Sequence, residues 1–77
     1  MNIKYFGEIA DVIGKKSEDI VLSNNTLEAL TAHLKSTYKL SVDDVYIAIN
    51  HKVVEASRDI QITEKDEVAI LSPFAGG

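Results

Sequence analysis

The residues best suited to chemistry stand at the end of the chain, where Gly76 and Gly77 follow Pro73. Glycine has no Cβ, so a Gly-Gly end is thin and adopts nearly all backbone conformations. Such an end can enter a narrow tunnel and present a carboxylate that no side chain shields from attack. A frayed terminus of small residues would have the same composition, so the chemistry alone leaves the two interpretations about equally open.

Histidines and paired carboxylates are the other candidates, and their spacing argues against catalysis or metal binding. His33 falls inside a predicted helix and His51 in a predicted turn, and neither lies three or four residues from another histidine. We expect both to be surface residues and no metal to be bound. The acidic pairs Asp43-Asp44 and Asp66-Glu67 flank predicted strand starts, where solvated loop charge is the better interpretation.

Length and composition further reduce the number of possible functions. We expect the 77 residues to form one domain, 1–77, whose small core leaves little room for an enclosed active site. The absence of cysteine excludes disulfides, thiolate metal sites and cysteine nucleophiles, and it suits the cytoplasm. A net charge of −4 makes nucleic acid a poor partner. No run of about 20 apolar residues and no signal-peptide pattern is present, so we expect no membrane association.

Hydrophobic periodicity predicts the elements that must position the Gly-Gly end. Strands are predicted at 1–6, 18–22, 45–49, 52–54 and 67–71, with a helical turn over 8–14 that Gly14 ends. The one long helix begins after Asn25 or Thr26, either of which can cap it. Its apolar stripe consists of Leu27, Leu30, Leu34 and Tyr38. Ile60 and Ile62 are the only large apolar anchors of the polar segment 55–66.

This order of elements predicts an α+β domain in which one main helix crosses one face of a mixed sheet of about five strands. The ubiquitin-like β-grasp is the fold that fits. Pro73 cannot donate to a sheet ladder and should end the last strand. We therefore expect a flexible C-terminal tail over residues 72–77.

Motifs along the whole chain resemble the MoaD-like small subunit of molybdopterin synthase, within the MoaD/ThiS group of sulfur carriers. Each motif is weak alone, but together, in order and ending on Gly-Gly, they are specific. They are Ile3-Lys4-Tyr5-Phe6-Gly7, Val12-Ile13-Gly14, Thr26-Leu27-Glu28-Ala29-Leu30, Ala48-Ile49-Asn50, Lys65-Asp66-Glu67-Val68-Ala69 and Pro73-Phe74-Ala75-Gly76-Gly77.

The resemblance implies a mechanism in which Gly77 carries the sulfur. A ubiquitin-activating-type (MoeB-like) enzyme uses ATP to adenylate the Gly77 carboxylate, and sulfur delivery then leaves a thiocarboxylate. The tail residues Phe74, Ala75 and Gly76 enter the MoaE-like large subunit of molybdopterin synthase, where the sulfur passes to a pterin precursor. The chain itself would bind no cofactor and be a non-catalytic subunit, because the catalytic residues would lie on its partners.

Three alternatives remain open at this stage. ThiS-like carriers, which supply sulfur for thiamine, share the fold and the Gly-Gly end but usually lack a helical turn between the first two strands. The segment 8–14 therefore favours the molybdenum-cofactor branch. A ubiquitin-like modifier would need the same tail to form isopeptide bonds with lysines. A β-grasp interaction module with an inert tail is the third.

Strand parity predicts a partner surface beside the tail. Met1, Ile3 and Tyr5 should face the helix, which puts Phe6 on the open face of the sheet; the same argument puts Leu71 there. The first and last strands are parallel neighbours in a β-grasp, so Phe6 and Leu71 should lie side by side. The resemblance adds Val53 in the hairpin to this interface. Glu64, Asp66 and Glu67 are expected to form an acidic rim that steers basic partners.

Overall fold

The computed structural model describes residues 1–55 and 60–72, with only the backbone of Val42. The strands are β1 (Asn2–Phe6), β2 (Ser17–Asp19), β3 (Tyr46–Ile49), β4 (Lys52–Val54) and β5 (Val68–Leu71). The helices are α1 (Glu8–Ile13) and α2 (Leu27–Tyr38), and a 3₁₀ turn spans Val42–Asp44. The predicted order of elements is thus confirmed, and most predicted strand boundaries are within one residue of the observed ones.

The strands form one mixed sheet in the order β2-β1-β5-β3-β4. β1 and β5 pair in parallel, from Ile3 opposite Val68 to Phe6 opposite Leu71. The other three pairings, β1 with β2, β3 with β4 and β3 with β5, are antiparallel. The first and last strands therefore lie together at the centre of the sheet.

The core forms where α2 packs on one face of this sheet. Leu27, Leu30 and Leu34 of the helix are at most 1% exposed, as the apolar stripe predicts. The sheet contributes alternate residues of β1, β3 and β5, and Ile62 closes one side of the core. These are Ile3, Tyr5, Ile47, Val68 and Ile70.

Local capping fixes both ends of α2. The Thr26 hydroxyl accepts a hydrogen bond from the Ala29 N–H at 3.1 Å, so Thr26 rather than Asn25 is the N-cap. Asn25 instead uses its carbonyl to accept from the Ile62 N–H at 2.7 Å. At the other end Lys39 takes a left-handed conformation with φ 58° and donates its N–H to carbonyls of the last turn.

Two local expectations were wrong. Ile9, Val12 and Ile13 have the i, i+3, i+4 spacing of one helix face, which predicts that all three are buried, yet Val12 is 66% exposed. Ile9, Ala10 and Ile13 pack against the core. At about 100° per residue they span one arc of the helix, with Ile13 between the other two, and Val12 lies beyond the Ile9 edge of that arc and points outward. The second strand was expected over 18–22, but it ends at Asp19 because its pairing with β1 goes no further than the Met1–Ile20 backbone bonds.

A polar contact joins β1, β2 and α2 at the edge of the core. One Glu18 carboxylate oxygen accepts hydrogen bonds from Tyr5 at 2.9 Å and Tyr38 at 2.6 Å, and Lys15 reaches the other oxygen at 3.2 Å. The hydrogen bond from Tyr38 is the main cause of the lowered pKa of Glu18. Burial, followed by the hydrogen bond to Glu18, raises the pKa of Tyr5.

The first prediction concerns the helix stripe. Leu30→Ala and Leu34→Ala should each cost about 2–5 kcal/mol of unfolding free energy, comparable with the whole stability of so small a domain. Thermal denaturation followed by circular dichroism measures this. Leu22→Ala, at a half-buried position outside the helix, is the control and should cost less. Wild-type melting of both helix variants would contradict the assigned core.

The second prediction concerns pH. A lowered folded-state pKa means that Glu18 adds stability above the ordinary glutamate pKa of about 4.3, and that this is lost as the pH falls through the lower, folded value. Glu18→Gln should therefore cost about 1–2 kcal/mol at pH 7, where it replaces charge-assisted hydrogen bonds by neutral ones.

Urea denaturation of both proteins at several pH values provides the test. The stability difference between wild type and Glu18→Gln should shrink as the pH falls below about 4. Other carboxylates affect both proteins equally and cancel in the difference. A difference that did not change with pH would rule out the ionised Glu18 contact.

Candidate functional site

The Gly-Gly end lies outside the described residues, as do Pro73, Phe74 and Ala75. The description ends at Ser72, which is buried at the end of β5. The start of the tail is therefore located, at the end of a central strand. The surface around this point is the open face of the sheet, opposite α2.

Phe6 and Leu71 form an apolar row where β5 ends. They are direct register partners, as predicted. Phe6 is 46% exposed, whereas Leu71 is half-buried. Tyr46 of β3 also pairs with Leu71 and is 51% exposed, so two aromatic side chains flank one aliphatic side chain. Tyr46 was not among the predicted interface residues, although its position next to the core-facing Ile47 already indicated the open face.

A second row lies one pleat further from the end of β5. Ala69 is the register partner of Lys4 and of Ala48, and Ala48 in turn pairs with Val53. The two alanines leave a depression of about 420 Å³ between the larger side chains, which include Phe6, Leu71 and Val53. Val53 is 64% exposed. The structure thus brings the three predicted interface residues to one concave apolar surface.

Charged groups border this depression on the side away from the end of β5. Lys4 Nζ lies 3.0 Å from one oxygen of Glu67, and His51 Nε2 lies 2.8 Å from the other. The hydrogen bond from Lys4 is the main cause of the lowered pKa of Glu67. Glu67 was expected to belong to an acidic rim, but Lys4 compensates its charge and His51 contacts its second oxygen, because the fold brings β1 and the hairpin turn beside it.

The adjoining turn is fixed by Asp66. One Asp66 oxygen accepts from the Asn50 amide at 2.9 Å and the other from the Thr63 N–H at 2.8 Å. Asn50 also accepts from the Glu67 N–H at 2.9 Å. Asp66, interpreted from sequence as solvated charge, therefore holds the β3–β4 turn against the segment that precedes β5. Sequence reasoning missed this because the partners are distant along the chain.

The remaining polar residues show no assembled active site in the described part of the chain. His33 was expected on the surface but is half-buried, with its ring edge-on to Tyr38 at a centroid distance of 6.3 Å. Within residues 1–55 and 60–72, no three His, Asp or Glu side chains cluster as metal ligands would. None of the described helices has the length and apolar composition of a membrane span.

Comparison with solved structures shows the fold. The chain aligns with a Pyrococcus furiosus protein assigned as molybdopterin converting factor, subunit 1, at 23% identity and a TM-score of 0.70, covering 94% of each chain. It aligns with small archaeal modifier protein 1 of Haloferax volcanii at 17% identity and a TM-score of 0.68, again over 94% of each. The predicted ubiquitin-like β-grasp is confirmed.

Sequence comparisons extend over the whole chain. It is 32% identical to the molybdopterin synthase sulfur carrier subunit of Dictyostelium discoideum, covering 97% of this chain and 93% of the relative. It is 27% identical to the subunit of the same name in Escherichia coli K12, covering 100% and 99%. The ThiS family model matches residues 3–77. The resemblance seen in the motifs is thus confirmed, and the chain belongs to the ThiS family.

Proposed function

We propose that this chain is the sulfur-carrier subunit of a cytoplasmic molybdopterin synthase and that it carries sulfur on the carboxylate of Gly77. The observation that supports this most directly is the full-length similarity to two molybdopterin synthase sulfur carrier subunits. The concave apolar surface beside the start of the tail adds a second, physical argument. It gives a large subunit a place to hold the domain while the tail is used.

The proposed chemistry explains why a glycine carboxylate is needed. A free carboxylate is a poor acyl electrophile, so an oxygen of Gly77 first attacks the α-phosphorus of ATP on a MoeB-like activating enzyme, and pyrophosphate leaves. A sulfur nucleophile at the oxidation level of hydrosulfide then adds to the acyl carbon, AMP leaves and the S–H proton is lost, which yields the thiocarboxylate. The absence of a Cβ at Gly76 and of a side chain at Gly77 leaves the acyl carbon open to attack.

The small size of the domain explains why the catalytic groups would lie on its partners. The core takes up the helix face of the sheet, and the open face offers a shallow basin rather than an enclosed pocket. Such a surface suits docking, with catalytic groups supplied by the large subunit and the activating enzyme. The proposed contacts with the large subunit are Phe6, Val53 and Leu71, to which we add Tyr46. The part of the tail that enters the large subunit is Phe74, Ala75 and Gly76.

A thiamine sulfur carrier and a protein modifier are the alternative functions within this fold. The observed helix α1 between β1 and β2 is the feature that favours the molybdenum-cofactor branch. A modifier would form isopeptide bonds between Gly77 and lysines of other proteins. Mass spectrometry of the chain from its native host distinguishes a thiocarboxylate, in which sulfur replaces one oxygen, from conjugates with other proteins.

The third prediction tests Gly77. Its deletion should abolish ATP–pyrophosphate exchange by the activating enzyme and all sulfur loading, while the circular dichroism spectrum stays unchanged. Gly77→Ala is the matched control, because it keeps a terminal carboxylate and adds only a methyl group; it should be loaded more slowly. Dithiolene formation by the truncated chain with purified partners would refute the carrier function.

The fourth prediction tests the apolar row. Phe6→Ala combined with Leu71→Ala should weaken binding to the large subunit by about 2 kcal/mol, or roughly thirtyfold, because both side chains would be buried in the complex. Isothermal titration calorimetry measures the affinity. Val21→Ala, at an apolar position that is 97% exposed and outside the open face, should bind as wild type does. An unchanged affinity of the double variant would remove this row from the interface.

A further inference from the structure

Two alanines occupy the middle of the open face, where strand propensity favours larger residues. Ala48 of β3 and Ala69 of β5 are direct register partners, and both strands are internal to the sheet. Alanine is depleted in strands, whereas valine, isoleucine and aromatic residues are enriched because they pack well on a pleated surface. Residues that go against a local preference of this kind are expected at functional sites. The small size of Ala48 and Ala69 is therefore the feature to explain.

The two alanines form the floor of the depression of about 420 Å³. Phe6 and Leu71 border it on the side where β5 ends, and Val53 borders it on the side of β4. A β-branched or aromatic residue in place of either alanine would project into this space, because side chains stand roughly perpendicular to a sheet. Alanine at both positions thus keeps the depression open.

The lining of the depression favours an uncharged, apolar occupant. The floor and the side chains of Phe6, Leu71 and Val53 are hydrocarbon. On the remaining border Lys4 and Glu67 lie 3.0 Å apart and compensate each other's charge. A charged group buried against this floor would lose its water without gaining an unpaired opposite charge. An apolar side chain, in contrast, gains free energy by leaving water there.

The position of the tail indicates which molecule supplies this side chain. Residues 73–77 follow Ser72, and at roughly 3.3–3.6 Å per residue they span at most about 18 Å. A partner that binds the Gly77 carboxylate must therefore lie close to the end of β5, beside Phe6 and Leu71. A second copy of this chain is less suited to the same surface, because each copy has a net charge of −4 and like net charges repel.

We infer that the depression is a socket for one apolar side chain of the large subunit, and that Ala48 and Ala69 determine by their small size which partner surface fits. This inference rests on the proposed docking of the large subunit. Phe6 and Leu71 supply contact area, whereas the alanines set a shape that the partner must match. An apolar side chain that fills a desolvated pocket is a typical hot spot of an interface.

Ala69→Ile tests the socket. Isoleucine suits a central strand, so the melting temperature should equal or exceed that of wild type. The added carbons fill the depression and exclude the partner's side chain. Affinity for the large subunit, measured by isothermal titration calorimetry, should therefore drop about tenfold or more. Ala69→Val adds fewer atoms and should lose less affinity, because the effect is steric.

Asn2→Ile is the matched control. Asn2 is exposed on the open face of β1, since its neighbour Ile3 faces the core. Its register partner is Asp19 of β2, and among the described residues it lies outside the lining of the depression. The change therefore places the same side chain on the same face but away from the socket. This variant should bind the large subunit as wild type does.

Ala48→Val provides an independent test from the other half of the floor. It should also weaken binding without lowering the melting temperature. A melting temperature well below that of wild type for both Ala48→Val and Ala69→Ile would show that the alanines serve the packing of the sheet, and the socket would be refuted.

The binding outcomes distinguish this inference from the proposed function. If both alanine variants bind like wild type while the Phe6 and Leu71 double variant binds weakly, the socket is refuted and the docking surface stands. If none of these changes affects binding, the open face is not the interface and both proposals fall. If the alanine variants alter only the self-association of the free chain, measured by sedimentation equilibrium, the occupant is a second copy and the inference is wrong.

Discussion

The parallel pairing of β1 with β5 is the constraint on which both faces of the sheet depend. It sets Ile3 beside Val68 and Tyr5 beside Ile70 on the side of α2, and it sets Lys4 beside Ala69 and Phe6 beside Leu71 on the other side. A slip of one residue would exchange the two faces. The same pairing thus builds the core and aligns the apolar row with the start of the tail.

Much of this arrangement could be predicted because it depends on the local spacing of apolar residues along each strand and helix. Alternation in β1 and β5 places Phe6 and Leu71, and the leucine spacing of α2 identifies the core. The shorter elements were less predictable. The six residues of α1 are too few for the apolar spacing to show that Val12 lies outside the buried face. Local residue type left Thr26 and Asn25 equal as caps, and nothing local indicated that the Asn25 carbonyl would accept from Ile62, a residue far away in the sequence.

Polar residues were the least predictable part of the site for the same reason. Asp66 and Glu67 look alike in the sequence, yet one fixes a turn through Asn50 and Thr63 and the other pairs with Lys4 and His51. Nothing local distinguishes these roles from solvated charge, because the partners come from β1 and from the β3–β4 turn. The chemistry of Gly77 could be proposed from residue type alone, since it requires only an unhindered carboxylate.

The central position of the last strand has a consequence for synthesis of the chain. Lys4 and Glu67, which meet in the finished sheet, are 63 positions apart, and contacts of such long sequence separation form late in folding. A ribosome-bound chain that has not yet released β5 lacks the middle of its sheet and cannot hold the core together. The open face of the sheet is therefore completed only after β5 has been released, and a product terminated before β5 would be left unfolded for proteolysis.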